Sequence, residues 1–215
     1  MQSGSNGRVL VVGASGPTGR AIVAAGARRG FEVVALVRRP SPDLAGIAGV
    51  REARGDVLDR ASLARALDGC RAVLCSLGSG VSLRPVTMLS EGTRNLVAAM
   101  RETGVRRLVC ITGIGAGDSR GHGGPLYDWL IRPMILRQVY ADKDRQEAVV
   151  RESGLDWTIV RPGFLTDSPA TGRYRVLTDL TGVTAGKISR ADVADFMVAQ
   201  IDDSTYRGAS PLIAG

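Results

Sequence analysis

The stretch RVLVVGASGPTGR (8–20) passes from an apolar, β-branched run into three glycines at positions 13, 16 and 19. The apolar run predicts a buried strand, and the residues from Pro17 onward predict a helix that follows it directly. Glycines at this junction permit a tight turn, a close approach of backbone to a ligand, and close packing of helix on strand. The stretch therefore predicts a phosphate-binding loop, the alternative being a glycine-rich turn without a ligand.

Strand-like and helix-like segments alternate along the rest of the chain. Further strands are predicted at 32–38, 50–57, 71–78, 106–113 and 156–163, with helices at 17–30, 61–69, 87–104 and 138–153. The tail adds a helix and a last strand. This alternation predicts an α/β fold, a doubly wound parallel sheet of the Rossmann type, and the absence of a linker predicts a single domain over 1–215.

Two stretches interrupt the alternation, and both follow the carboxyl end of a predicted strand. Residues 113–137 are glycine-rich and then apolar, and residues 162–177 contain further glycine and proline. Ligands of doubly wound sheets bind beyond the carboxyl ends of the strands. We therefore expect these two insertions to form the substrate pocket.

The composition narrows the classes of partner. The formal charge is +7, but almost all of the positive charge is arginine scattered along the chain, and aromatic residues make up only 4%. A nucleic-acid interface needs clustered cations, and single strands also need stacking side chains. We therefore expect an anionic small molecule as the partner and no nucleic acid.

Cysteine usage and hydropathy bear on the compartment. Cys70, Cys75 and Cys110 lack metal-ligand spacing, so we expect no metal site and reduced, mostly buried thiols, which suit a cytoplasmic protein. No run is long and apolar enough to span a membrane. The opening MQSGSNG (1–7) lacks the apolar core of a signal peptide and is predicted to be a frayed terminus.

The residue after the second strand distinguishes the two nicotinamide dinucleotides. A carboxylate there would bind the ribose hydroxyls of NAD, whereas this chain has Arg38 and Arg39 and no acid. Guanidinium groups pair with a 2′-phosphate, so we predict NADP(H), unless both arginines are simply solvated.

Other strand ends supply further predicted contacts. Asp56 and Val57 would contact the adenine, or Asp56 would cap the following helix, or both. Gly78 would let the backbone pass close to the cofactor. Thr112, at the end of the fifth strand, is expected to point its hydroxyl toward the nicotinamide.

Several ordered segments carry a family resemblance, among them GASGPTGR, ALVRRP, GDVLD, VVRESGLDWTIVRP and ISRADVADFM. Together they resemble the NAD(P)H-binding atypical short-chain dehydrogenase/reductase family, and within it the NmrA-like proteins and the biliverdin-IXβ reductase/flavin reductase group. The resemblance implies that NADP is held by Gly13, Ser15, Gly16, Thr18, Gly19, Arg38, Asp56, Val57, Leu77 and Gly78. We expect further contacts from Pro17, Arg39, Thr112, Pro162 and Phe164.

The chain departs from these relatives at the positions expected to do chemistry. The resemblance implies a serine after Thr112 and a histidine after the proline that ends the sixth strand, where this chain has Gly113 and Phe164. Its one histidine, His122, lies in the first insertion and is predicted to be a solvated loop residue.

Tyr140 and Lys143 are the remaining acid/base candidates. The wider family uses a YxxxK pair in which the lysine lowers the pKa of the tyrosine. Here the spacing is one residue shorter, which still keeps both side chains on one helix face. Either the pair is catalytic, or Tyr140 is a surface tyrosine and Lys143 pairs with an acid.

These observations predict an NADP(H)-dependent oxidoreductase that passes hydride to a flat acceptor such as a flavin, quinone, enone or ketone. Thr112, Phe164 and Leu165 would form apolar walls of its pocket. The alternative is a non-catalytic NADP(H)-binding sensor of the NmrA type. We expect a monomer or homodimer without membrane attachment.

Overall fold

The computed structural model describes residues 6–82 and 84–215, so most of the predicted frayed terminus lies outside the described residues. The strands are β1 Arg8–Val12, β2 Glu32–Val37, β3 Val50–Arg54, β4 Cys70–Cys75, β5 Arg107–Ile111, β6 Asp156–Pro162, β7 Phe164–Thr166, β8 Arg175–Leu177, β9 Lys187–Ser189 and β10 Leu212–Ala214. The helices are α1 Pro17–Arg28, α2 Arg60–Ala66, α3 Met88–Thr103, α4 Arg132–Met134, α5 Arg137–Arg151 and α6 Arg190–Ala199.

The main sheet has the strand order β3-β2-β1-β4-β5-β6-β10-β8. Its pairs are parallel except at the edge, where β8 runs antiparallel to β10. The order reverses between β1 and β4, which is where a doubly wound sheet opens a crevice for a ligand. The predicted single-domain, doubly wound α/β fold is confirmed.

Helices cover both faces of this sheet. One apolar core lies between the sheet and helices α1 and α6, and another lies between the sheet and helices α2, α3 and α5. Strands buried on both faces have continuous apolar sequences, and β1, β2, β4 and β5 have this pattern. All three cysteines are buried free thiols.

The two insertions contain more regular structure than the sequence pattern indicates. The first contains a 3₁₀ turn over Gly117–Ser119, a π-helical turn over Tyr127–Ile131 and helix α4. Tyr127 and Arg132 donate hydrogen bonds to the carbonyls of Ile114 and Gly115, just after β5. In the second, β7 pairs with β9 in a separate two-stranded sheet, and β8 joins the main sheet. Strands of three residues are too short for apolar periodicity to reveal them.

Candidate functional site

The glycine loop between β1 and α1 has the geometry that its spacing predicts. Gly13 has a φ of +79°, a conformation that favours glycine, and its carbonyl accepts a hydrogen bond from the amide of Gly16. A Cβ on Gly19 would lie 2.0 Å from the Gly13 oxygen, so only glycine lets α1 pack this closely. Both glycines are therefore needed for the turn itself.

The N-terminus of α1 is free of side-chain caps. Gly16 is the N-cap residue, Pro17 takes the first helical position, and the first turn contains no acidic residue. Helix N-terminal amides carry a partial positive charge and bind phosphate when nothing else satisfies them. This uncapped end therefore fits the pyrophosphate of a dinucleotide.

A cavity of about 440 Å³ lies against this loop, at the carboxyl ends of β1 to β4. The predicted residues that line it are Gly13, Ser15, Gly16, Pro17, Thr18, Gly19, Arg38, Asp56, Val57, Leu77 and Gly78. Sequence reasoning missed the lining residues Leu36, Gly55, Leu58, Ser76, Ser79 and Met88. We call this cavity the dinucleotide cleft.

The two arginines after β2 differ in their position relative to the dinucleotide cleft. Both side chains are exposed, but Arg38 lines the dinucleotide cleft and Arg39 is absent from its lining. Within the part of the chain that the structure describes, Arg38 forms no ion pair. Its guanidinium is therefore available to an anion in the cleft.

Asp56 lines the cleft but does not cap α2, so that alternative is wrong. The cap is Asp59, whose carboxylate accepts from the amide of Ala61 at 3.0 Å. The Asp56 carboxylate instead accepts from the amide of Leu58 at 2.9 Å, which holds it in a turn. Asp59 directly precedes α2, whereas Asp56 lies three positions earlier and its carboxylate binds the amide of Leu58 before the helix begins.

Ser79 is an additional polar group in this cleft. Its hydroxyl is buried and has no hydrogen-bond partner within the described residues. A buried hydroxyl without a partner costs free energy unless a ligand or water satisfies it. Ser79 therefore fits a polar group of a bound dinucleotide.

The Thr112 hydroxyl, at the end of β5, has its partner on α5. Its side chain is buried, and its hydroxyl donates to Oε1 of Glu147 on α5 at 2.8 Å. The hydroxyl proton is therefore directed toward α5, and Thr112 does not line the dinucleotide cleft, so its contact with the nicotinamide stays a prediction. The buried carboxylate is the stronger acceptor and orients the hydroxyl toward the α5 side.

Glu147 belongs to a buried charge network that sequence reasoning missed. Arg161, which is 1% exposed, donates through Nε and Nη2 to the two Glu147 oxygens at 2.9 and 2.6 Å. Arg161 also forms an ion pair with Asp118 in the first insertion. The network thus joins α5 and β6 to the start of the insertion.

Lys143 lies at the same strand end. Its Nζ donates to the Thr112 carbonyl oxygen at 2.6 Å and lies 4.9 Å from the centroid of the Tyr140 ring. Among the described residues Lys143 forms no ion pair, so the alternative in which Lys143 pairs with an acid is wrong. Burial lowers the pKa of Lys143 to about 8, although the charge of Glu147 opposes the shift.

Tyr140 is buried, with an exposed fraction of 7%, so it is not a surface tyrosine. Its hydroxyl donates to the Ile114 carbonyl at 2.7 Å, and Tyr127 donates to the same hydroxyl. Burial raises the pKa of the Tyr140 phenol, and Tyr127 adds to the rise. This direction is opposite to the lowered pKa that a YxxxK tyrosine needs.

Gly113 explains why this chain has no serine after Thr112. Its φ is +145°, and a Cβ there would lie 3.1 Å from the Lys143 Nζ and 3.6 Å from the Tyr140 hydroxyl. The lysine ammonium therefore occupies the space beside position 113 that a serine side chain would enter.

Pro162 and Phe164 lie apart from the dinucleotide cleft. Pro162 is buried at the end of β6, and its carbonyl accepts from the amide of Ile114 at 3.0 Å. The Phe164 ring is 36% exposed and meets Tyr127 edge to face at 5.2 Å between centroids. His122 is half-buried, with Nδ1 2.8 Å from the Val183 carbonyl oxygen, so the expectation of a solvated histidine is wrong.

Residues 6–82 and 84–215 contain neither a metal-ligand cluster nor a membrane-spanning helix. No group of His, Cys, Asp or Glu side chains there has the arrangement of a metal site. No helix in this part of the chain has the length and hydropathy to cross a bilayer.

Two known proteins are similar to this chain over more than nine-tenths of its length. YhfK of Bacillus subtilis (strain 168), described as an uncharacterized sugar epimerase, is 28% identical over 202 residues, covering 91% of this chain and 88% of that protein. A (4-alkanoyl-5-oxo-2,5-dihydrofuran-3-yl)methyl phosphate reductase of Streptomyces griseus subsp. griseus is 31% identical over 213 residues, covering 96% of this chain and 67% of that protein.

The solved structures include ChuY, an anaerobillin reductase from Escherichia coli O157:H7, which superposes with a TM-score of 0.81 at 22% identity and covers 96% of each chain. At this identity the likeness shows the fold. A family model described as NAD(P)H-binding matches residues 13–204, from the glycine loop to beyond α6. The resemblance inferred from the sequence is thereby confirmed, and the chain belongs to the NAD(P)H-binding family.

Proposed function

We propose that the protein is an NADP(H)-dependent reductase that delivers hydride to a flat organic acceptor. The observation that carries this proposal is the dinucleotide cleft, in which an uncapped helix N-terminus and Arg38 face the same cavity. The helix end matches the pyrophosphate, and the guanidinium matches a phosphate on the ribose. NAD lacks that second phosphate, so Arg38 favours NADP(H).

Lys143 is the group that we assign to proton transfer. When bound, the nicotinamide supplies the hydride, which reduces a carbonyl or quinone carbon of the acceptor. The Lys143 ammonium then gives a proton to the acceptor oxygen and regains it from solvent. A pKa of about 8 keeps the ammonium protonated near neutral pH and still able to release its proton.

Tyr140 has a positioning role in this proposal. Its phenol proton is held by the Ile114 carbonyl, and its ring lies beside the Lys143 ammonium. A cation beside an aromatic ring is attracted by the ring's electrons. Tyr140 would therefore hold Lys143 at the strand end without itself transferring a proton.

The acceptor surface would come from the first insertion and Phe164. This insertion exposes large apolar side chains, with Trp129 84% exposed, and Tyr127 packs against Phe164. Exposed apolar surface of this kind marks a binding face for apolar molecules. The reductase named among the sequence relatives, and ChuY among the structures, support reduction as the reaction class.

The second candidate is a non-catalytic NADP(H) sensor. The raised pKa and engaged proton of Tyr140 favour it, because the usual acid/base tyrosine is lost. A sensor would bind NADPH in the dinucleotide cleft and turn over nothing.

One experiment separates the two candidates. NADPH binding is measured by its fluorescence, and NADPH consumption is followed with FMN, quinones and aryl ketones. We expect micromolar binding and consumption with at least one acceptor. Binding without consumption for every acceptor would support the sensor, and absence of NADPH binding would reject both.

A further inference from the structure

We propose that a second, arginine-lined cavity binds an anionic group, such as a phosphate, sulfonate or carboxylate, carried by the acceptor. This inference rests on the proposed reductase function, because it specifies the acceptor class of the same site. The cavity has a volume of about 300 Å³ and is lined by Arg120, Arg132, Pro133, Arg137, Ala141 and Asp144. We call it the arginine cavity.

The charges around the arginine cavity favour an anion. Arg120 forms an ion pair with Asp144, so one positive charge of the lining is neutralised. Arg132 uses its Nε to donate to the Gly115 carbonyl at 3.0 Å, which leaves the forked end of the guanidinium for a ligand. Arg137 is exposed and forms no ion pair within the described residues. In the part of the chain that the structure describes, the guanidinium groups of Arg132 and Arg137 are thus left without a carboxylate partner. Guanidinium pairs bind oxyanions with strong, charge-assisted hydrogen bonds.

The start of α5 adds to this preference. The helix begins at Arg137, has no side-chain cap and has no acidic residue in its first turn. Its N-terminal amides therefore contribute partial positive charge at the edge of the same cavity. A residue that would repel an anion, such as an aspartate at the first turn, is absent from this helix end.

The position of the arginine cavity assigns the anion to the acceptor and not to the dinucleotide. It shares no lining residue with the dinucleotide cleft, so the cofactor phosphates have their own site. Arg132 connects it to the candidate chemistry, because the same guanidinium lies 5.5 Å from the Tyr140 ring centroid, and Lys143 lies 4.9 Å from that centroid. An acceptor reduced beside Lys143 can therefore place an anionic substituent among these arginines.

A matched pair of acceptors tests the inference when the protein turns over quinones. KM is measured at saturating NADPH for 1,2-naphthoquinone and 1,2-naphthoquinone-4-sulfonate, with the uncatalysed rates subtracted. We expect the sulfonate to have a KM about 10-fold lower, and Arg137→Glu to abolish that difference by raising the KM for the sulfonate. Arg65→Glu, an exposed arginine on α2, is the control and should keep the preference. Equal KM values in the wild type, or a preference that survives in Arg137→Glu, would overturn the inference.

If the protein reduces no acceptor, a binding measurement still tests the arginine cavity as an anion site. Inorganic sulfate is titrated by calorimetry into protein saturated with NADP⁺, so that the dinucleotide cleft is already filled. Binding that is lost in Arg137→Glu and kept in Arg65→Glu would support the arginine cavity even if the reductase proposal fails. Absence of sulfate binding in a protein that reduces no acceptor would reject the cavity as an anion site.

Discussion

At position 113 the chain differs from the serine that the family resemblance implies, and the hydrogen-bond donor beside it comes from α5. The resemblance to the flavin reductases implies a serine there, whereas the positive φ of this position favours glycine and a Cβ would lie 3.1 Å from the Lys143 ammonium. The donor beside the strand end is thus an ammonium on α5 and not a hydroxyl on the strand. An ammonium has a pKa that burial can lower into the physiological range, whereas a serine hydroxyl does not titrate there.

Lys143 should therefore control both the rate and its pH dependence. We expect Lys143→Met to lower kcat by about 100-fold, because general acids contribute on this order. In the wild type, kcat/KM should fall as pH rises through about 8, where the ammonium loses its proton. The measurement is a pH series of initial rates for wild type and variant.

Lys187 provides the matched control, since it is the other lysine of the chain and is exposed on β9. Lys187→Met should leave the rate and its pH profile unchanged. A wild-type profile that stays flat across pH 7 to 9, or a fall that persists in Lys143→Met, would remove Lys143 from proton transfer.

Substitutions of Arg38 and Arg39 compare an arginine that lines the dinucleotide cleft with a neighbouring arginine that does not. We expect Arg38→Ala to weaken NADPH binding by about 10- to 100-fold and to leave NADH binding unchanged, because only NADPH carries the 2′-phosphate. Arg39→Ala should change neither, since Arg39 is absent from the lining of the dinucleotide cleft. Fluorescence titrations give the four affinities. Equal losses for both cofactors in Arg38→Ala would contradict the assignment.

At the scale of elements, two glycines between β1 and α1 have different roles: one allows the helix to pack on the strand, and the other lines the dinucleotide cleft. Gly19 is in contact with the Gly13 carbonyl and fixes how closely α1 packs on β1. Gly16 lines the cleft, and a Cβ there would come no closer than 3.4 Å to the protein. Gly19 is therefore required for helix packing, whereas Gly16 leaves space in the cleft for a ligand.

Alanine substitutions should separate these two roles. Gly19→Ala should lower the free energy of unfolding by about 1 to 3 kcal/mol, as overpacking does. Gly16→Ala should leave the free energy of unfolding nearly unchanged and weaken NADPH binding, because the added methyl group enters the phosphate site. Urea unfolding and fluorescence titration measure the two quantities. A large stability loss in Gly16→Ala, with Gly19→Ala unaffected, would reverse the assignment.

At the scale of the whole molecule, the Glu147 network joins regions that are distant in the chain. Thr112 after β5, Glu147 on α5 and Arg161 on β6 meet in the interior, and Asp118 of the first insertion completes the group. A buried ion pair of this kind contributes little net stability over apolar packing, but removal of one partner leaves an uncompensated charge. The network therefore fixes the position of the insertion relative to the sheet.

Neutralising Glu147 tests this coupling. We expect Glu147→Gln to lower the free energy of unfolding by about 3 kcal/mol, because the buried Arg161 keeps only the exposed carboxylate of Asp118 as an ion-pair partner. Glu152→Gln, an exposed position just after α5, should change it by less than about 0.5 kcal/mol. Urea unfolding of both variants provides the comparison. Equal free energies of unfolding for Glu147→Gln and Glu152→Gln would show that the network does not hold the insertion against the sheet.

The sequence by itself determined the alternation of strands and helices, the glycine loop and the arginine after β2. These features are local: apolar periodicity reports which face of an element is buried, and the glycine spacing reports one turn of backbone. The fold class and the family could therefore be predicted from neighbouring residues alone.

Only the tertiary structure decided the partners of Thr112, Tyr140 and Lys143, the cap at Asp59 and the arginine cavity. In the arginine cavity, Arg120 and Arg137 are separated by 17 positions, and they meet because the first insertion folds back over α5. Contacts between residues far apart in the chain depend on strand order, on strand register and on the path of irregular segments, and a local sequence pattern encodes none of these. The fold and several candidate residues could thus be predicted from the sequence, whereas the contacts that distinguish their roles became visible only once distant residues were placed together.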